Sequence, residues 1–124
     1  ERVMSHLEDE IEEVRSYISE PYFQTIDCNQ GWHQLVVDCH RELSAIDPDY
    51  KLYQVKEKFG GLRYYIDSSS KDYYAMRDVV NKFERLSLQT CEYTGEPGVL
   101  AKGRGGWMKT LSKEVMSEYG YEQA

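Results

Sequence analysis

Gly60-Gly61 lies between two runs rich in aromatic and β-branched residues, so residues 51–67 read as a β-hairpin closed by a tight turn. Such a turn needs positive backbone angles, which glycine adopts without steric cost. A hairpin also fixes which side chains share a face, because successive residues of a strand point to opposite sides. On that period Tyr53, Val55, Glu57 and Phe59 face one way and Gln54, Lys56 and Lys58 the other. The returning strand sets Leu62, Tyr64 and Ile66 on one face and Arg63, Tyr65 and Asp67 on the other. One face is apolar and belongs on a core. The opposite face offers Lys56, Lys58, Arg63 and Tyr65.

Helical periods surround the hairpin. From about Arg2 to Ser19, the residues Met4, Leu7, Ile11, Val14 and Ile18 recur in alternating steps of three and four, a narrow seam of the coiled-coil kind. Two arrangements would bury it: docking on the same domain, or pairing with a second copy through residues 4–18. The flanks Glu8, Asp9, Glu10, Glu12 and Glu13 oppose close parallel pairing, since like charges at helical spacing repel. Pro21 ends this helix, and residues 21–31 read as a loop. A second helix fits Trp32–Ile46, with Trp32, Leu35, Val36, Cys39, Leu43 and Ile46 on one face, and Asp47-Pro48-Asp49 breaks it. Ser70 stands as N-cap to a third helix over Lys71–Leu88 that buries Tyr74, Met76, Val79, Val80, Phe83 and Leu86.

The last third changes character. Residues 91–106 hold five of the nine glycines and Pro97, which predicts turns and short strands before a final helix from Lys109 to Tyr119. Trp32 and Trp107 are expected as core anchors. Together these elements predict an α+β fold: a small antiparallel sheet centred on the hairpin and covered by helices. Residues 1–20 form an acidic amphipathic helix ahead of a single domain over 21–124.

At 124 residues the chain supports one core. No uninterrupted apolar run approaches the roughly 18 residues of a membrane span, and none near residue 1 resembles a signal peptide. A soluble cytoplasmic protein with no membrane partner is the expectation. Net charge is −7, unevenly spread: residues 1–50 hold twelve acidic and three basic side chains, residues 51–90 five and eight. An acidic half disfavours general affinity for nucleic acid, which rests on Lys and Arg neutralising phosphates. It suits a basic protein surface, including the nucleic-acid groove of another protein. Glu8, Asp9, Glu12, Glu13 and Asp38 are the candidate residues for that contact.

The alternative is a ligand face made by Lys56, Lys58, Arg63 and Tyr65 with Lys102 and Arg104, cations beside rings that stack on bases. Trp107 and Lys109 follow close behind. Against it stands a plain structural use, in which Lys56 and Lys58 pair with the acidic helices of the same chain.

Chemistry finds less support. Cys28, Cys39 and Cys91 are an odd, widely separated set that points to reduced thiols. Cys39 or Cys28 with His33 is the one conceivable nucleophile–base pair, but Cys39 falls on the apolar face of the second helix, where a small buried thiol belongs. Cys91-Glu92-Tyr93-Thr94-Gly95 looks like a zinc knuckle without its second cysteine, and Thr110-Leu111-Ser112-Lys113-Glu114 supplies no Cys or His for a second turn. Neither metal nor cofactor is expected, and no phosphate-binding glycine loop is present.

Gly31-Trp32, the run Gln54 to Tyr64 with its Lys-Glu-Lys-Phe-Gly-Gly-Leu-Arg core, Cys91-Glu92, Gly95, Pro97-Gly98, Gly106-Trp107 and Thr110-Leu111 resemble a family of small bacteriophage and prophage proteins over residues 28–114. The resemblance implies a zinc-binding unit over residues 91–114. This sequence keeps only Cys91 of its ligands and has Thr94, Ser112 and Glu114 where others are expected. It further implies a setting: a non-enzymatic protein in the cytoplasm of an infected or lysogenic bacterium, blocking a host defence or nucleic-acid enzyme by binding it.

Overall fold

In the computed structural model the chain forms, in order, α1 (Arg2–Tyr17), β1 (Ile26–Asp27), α2 (His33–Ile46), β2 (Lys51–Lys58), β3 (Gly61–Asp67), α3 (Tyr73–Ser87), β4 (Val99–Lys102), β5 (Met108–Leu111), α4 (Lys113–Tyr119) and β6 (Glu122–Gln123). The structure describes residues 2–19 and 24–124, of which residues 2–5 by their backbone alone. Pro21 and the side chain of Met4 lie outside the described residues. The α+β class expected from the sequence is what forms, as four helices and two small three-stranded sheets among the described residues.

The hairpin turns one residue earlier than the glycine pair suggests. Lys58 pairs with Gly61, which leaves Phe59 and Gly60 as the loop, both at positive φ (55° and 87°). Two central residues of that kind match the strand twist. The second sheet pins Gly60: Thr110 Oγ1 donates to its carbonyl at 2.7 Å, and a Cβ there would lie 2.6 Å from the Leu100 side chain. Phe59 therefore takes the left-handed position at a cost on the order of 1–3 kcal/mol. Its ring is 73% exposed instead of joining the apolar face. A register shift between Leu52 and Gln54 likewise removes Tyr53 from the alternation, so Leu52 is buried with Val55 and Tyr53 is exposed.

The sheet of the hairpin is mixed, not wholly antiparallel. Ile26 and Asp27, expected in a loop, run parallel beside Val55 and Lys56, and Ile26 is buried there. Leu52, Val55, Leu62, Tyr64 and Ile66 face the three long helices. From those helices come Val36, Cys39 and Leu43, then Met76, Val80 and Phe83. Ile11, Val14 and Ile18 fill the same core, so the seam of α1 docks on its own domain. A dimer through residues 4–18 would have to strip these three side chains from the core at about 1.5–3 kcal/mol each.

Helix α3 starts two residues later than expected. Ser70 Oγ accepts from the Asp72 N–H at 3.0 Å in a turn before the helix, not as its cap. Its buried stripe runs Met76, Val80, Phe83, Ser87. Tyr74 falls on the opposite side and Leu86 beside the stripe, both exposed, contrary to the burial expected of them. Ser87 Oγ and Glu84 Oε2 accept from the N–H groups of Leu62 and Tyr64, each at 3.0 Å. The open edge of β3 is thereby satisfied by a helix, which blunts it against pairing with another chain.

The C-terminal sheet, ordered β5-β4-β6, has a small core of Cys91, Ala101, Leu111 and Val115, with Tyr93, Met116 and Tyr121 packed against it. Residues 109–111, expected as helix, instead pair with β4 as strand, and α4 begins after the Ser112 cap. Trp107 is 73% exposed, a correction to its expected anchoring role, whereas Trp32 is fully buried and its Nε1 donates to the Thr90 carbonyl at 2.8 Å. Glu92, 1% exposed, joins the two cores: Asn29 donates to Oε2 through N–H and Nδ2, and Lys109 Nζ donates to Oε1 at 3.0 Å. Glu57 Oε1 lies 3.6 Å from the same ammonium.

Candidate functional site

The face of the first sheet turned away from the helices carries Gln54 opposite Tyr65 and Lys56 opposite Arg63, with Asp27 beside Lys56. Tyr65 is 40% exposed, and Lys56 Nζ stands 5.9 Å from its ring centroid. At the tip, Lys58 Nζ stands 5.7 Å from the Phe59 ring. Cations at such distances from ring faces gain about 0.5–1 kcal/mol at exposed sites.

What the cations do not touch matters more. Among the described residues, Lys56, Lys58 and Arg63 enter no ion pair. The Nε of Arg63 is buried and has no hydrogen-bond partner. The acidic helices do not neutralise the hairpin: Glu12 pairs with Arg15, Glu10 and Asp38 with Arg41, Glu42 with Lys82 and Glu13 with His40 Nε2 at 3.1 Å, and Glu8 and Asp9 enter no ion pair among the described residues.

Between the tip of the hairpin and the C-terminal half of α3 runs a groove of about 470 Å³. Lys58, Arg63 and Arg85 line it with Asn81, and Phe59, Leu88 and Leu100 give it apolar walls. Its one carboxylate, Glu84, is held by the Tyr64 N–H. Asn81 and Arg85 were not visible as site residues in the sequence. Their only signal is an i, i+4 polar pair on a helix, which every solvated helix face also displays.

The remaining sequence candidates divide. Lys102 and Arg104 lie apart from the hairpin groove and line a third one with Met116 and Tyr121. Of the acidic set, Glu8, Asp9 and Glu12 line a groove of about 790 Å³ with Leu7, Ile11 and Tyr93. Glu13 and Asp38 do not line it; they serve the ion pairs already named.

The thiols give no nucleophile–base pair. Cys39 is fully buried, and desolvation, then the nearby Glu84 and Glu42 charges, push its pKa well up. Cys28 is pushed up to about 12 by burial, then by Glu92 and Asp27. His33 is drawn down by burial, against a hydrogen bond to the Cys28 backbone. In Cys91, burial raises the pKa but hydrogen bonds from Thr94 and from the Ser112, Thr94 and Tyr93 backbone outweigh it and lower it. Those bonds occupy the knuckle where the resemblance implies a metal. Among the described residues, no three His, Cys, Asp or Glu side chains converge as a ligand set. His40 is structural: Nδ1 and Tyr50 Oη are 2.7 Å apart, as are the hydroxyls of Tyr50 and Tyr64. With the exposed Glu13 this makes one hydrogen-bonded chain that runs from the core to the surface.

Comparison with family models, with curated proteins and with solved structures finds nothing that matches this chain. No helix of the described residues is long and apolar enough to cross a membrane.

Proposed function

We propose that this is a non-enzymatic binding protein whose hairpin face takes single-stranded nucleic acid. The observation that carries this reading is that Lys56 and Lys58 stand beside exposed rings, and that these two and Arg63 have no carboxylate paired to them among the described residues. Cations along a backbone track, with aromatic rings for the bases, are what sequence-tolerant strand binding requires, and each stacked base contributes about 1–3 kcal/mol. The net charge of −7 opposes phosphate binding in general, so affinity is modest and rests on this local cluster of cations. The test is fluorescence anisotropy of a labelled 12-nucleotide strand at low salt. Binding by the native protein that disappears in Arg63→Glu, with the thermal transition retained, supports the reading. No binding, or binding indifferent to that change, removes it.

A second reading keeps the acidic surface. The groove beside Glu8, Asp9 and Glu12 has an apolar floor, and among the described residues Glu8 and Asp9 form no ion pair. A basic segment of a host defence or nucleic-acid enzyme would fit it, with the protein acting as a phage-type inhibitor. Capture of such an enzyme that salt releases and Glu8→Lys with Asp9→Lys abolishes would favour this reading. Capture unaffected by both would end it.

A further inference from the structure

We infer that the groove at the hairpin tip is a subsite for the terminal phosphate of a bound strand, so that the protein binds strand ends in preference to internal sequence. This rests on the nucleic-acid reading of the hairpin face and adds a polarity to it.

Along the face an internal phosphodiester, one negative charge, meets Lys56 with the Tyr65 ring. At the tip the charge density rises. Lys58, Arg63 and Arg85 converge on one groove against the single carboxylate of Glu84, leaving two positive charges. Glu84 cannot swing away to neutralise them without exposing the Tyr64 N–H it accepts from at 3.0 Å. A phosphomonoester carries about −1.5 to −2 at neutral pH, with three strong acceptor oxygens. It matches this charge where a diester does not. Arginine fits such a group through its planar fork, and among the described residues neither Arg63 nor Arg85 has a carboxylate in that fork.

The volume and the walls agree. A groove of about 470 Å³ is within the range of small-ligand sites, about 300–1,000 Å³, and takes a terminal nucleotide but little more. Phe59 supplies the platform for the last base. Its positive φ of 55° puts the ring at the mouth of the groove, 73% exposed, where the extended conformation expected from the sequence would have turned it toward the core. A backbone conformation unfavourable to a bulky side chain, next to a Gly60 carbonyl bound from the other sheet by Thr110, thus presents the ring at the groove.

The experiment uses the full chain and 12-nucleotide strands of one sequence with four kinds of end: hydroxyls at both, a 5′-phosphate, a 3′-phosphate, and both phosphates. Binding about tenfold tighter for at least one phosphorylated end, which is about 1.4 kcal/mol, is expected. Which end responds identifies the direction of the strand. Arg85→Ala should erase that preference, so that the four strands bind alike, while the thermal transition is retained. Equal affinity for all four strands overturns the terminal subsite and leaves the face reading standing. A preference that survives Arg85→Ala in a folded variant also overturns it. No binding of any strand removes both.

Discussion

Helix α1 and the β2–β3 hairpin carry opposite charge, but they differ more in what those charges touch than in their sign. On α1, Glu10, Glu12 and Glu13 reach Arg41, Arg15 and His40 of the same chain. On the hairpin, Lys56, Lys58 and Arg63 reach no carboxylate among the described residues. Between them lies a third setting, the buried joint of Glu92, Lys109 and Glu57 under the hairpin tip. A pair at the surface contributes little because water already solvates both partners. A buried pair is costly to break because the survivor is left uncompensated. The hairpin cations have neither kind of partner among the described residues, only the modest attraction of the Tyr65 and Phe59 rings to Lys56 and Lys58.

The joint should give the largest effect. Glu92→Leu leaves Lys109 with Glu57 alone at 3.6 Å and strips both Asn29 donors of their acceptor. Breaking a buried pair in this way costs about 3–5 kcal/mol, to be read from the urea midpoint at constant slope. Glu12→Gln, measured alongside, should move stability by no more than about 1 kcal/mol. Similar losses from the two would erase the distinction between joint and surface.

Next comes the hairpin. Lys56→Ala with Arg63→Ala should weaken strand binding about 100-fold, or about 2.7 kcal/mol, while the protein stays folded with a stability loss of no more than about 1 kcal/mol. A large loss of stability would mean that these cations serve the fold after all. Native binding should also fall with a log–log salt slope near −2, about −0.7 for each of three phosphates. A flat salt response would point to stacking without phosphate contact.

The sequence disclosed the apolar faces far better than the turn, the caps or the site. Ile11, Val14, Ile18, Leu62, Tyr64 and Ile66 follow a period, and all are buried. Phe59, Tyr53 and Trp107 do not, because each sits where a local backbone departure decides its direction: a left-handed turn residue, a bulge, and the residue after Gly106 at φ 84°. Lys109 to Leu111 carries no helix-forbidding residue, and only pairing with β4 makes it strand. The hairpin half of the site was legible as Lys56, Lys58, Arg63 and Tyr65 on one face. The α3 half was not, since Asn81 and Arg85 meet the hairpin only through the packing of that helix along the edge of β3.

Cys28 reports on the joint from inside. Its thiol is pushed up to about 12 from 9.0 by burial first and by the negative charge of Glu92 second. The folded state therefore holds this proton more tightly than the unfolded chain. The contribution is fully present below pH 9 and is lost as pH rises toward 12. The thermal midpoint should decline above pH 9, and less steeply in Cys28→Ala. An equally steep decline in that variant would assign the alkaline loss to the other buried groups raised by desolvation, Cys39, Tyr50 and Tyr64.

The smallest effect is expected where the sequence carries most charge. Glu8 and Asp9 are exposed on α1 and form no ion pair among the described residues. Glu8→Lys with Asp9→Lys should therefore shift stability by no more than about 0.5 kcal/mol. Raising the net charge by four, two negative charges lost and two positive gained, should tighten strand binding by less than about threefold at 0.15 M salt, where the field of an exposed charge fades within about 8 Å. That narrow response separates the two readings of the protein. If the hairpin is the working surface, α1 is a docked, solvated helix, and its reversal is nearly silent in every assay. If a host enzyme is instead captured through the groove beside Glu8 and Asp9, the same double reversal that leaves strand binding unchanged abolishes capture, and the paired carboxylates Glu13 and Asp38 can be neutralised without effect on it.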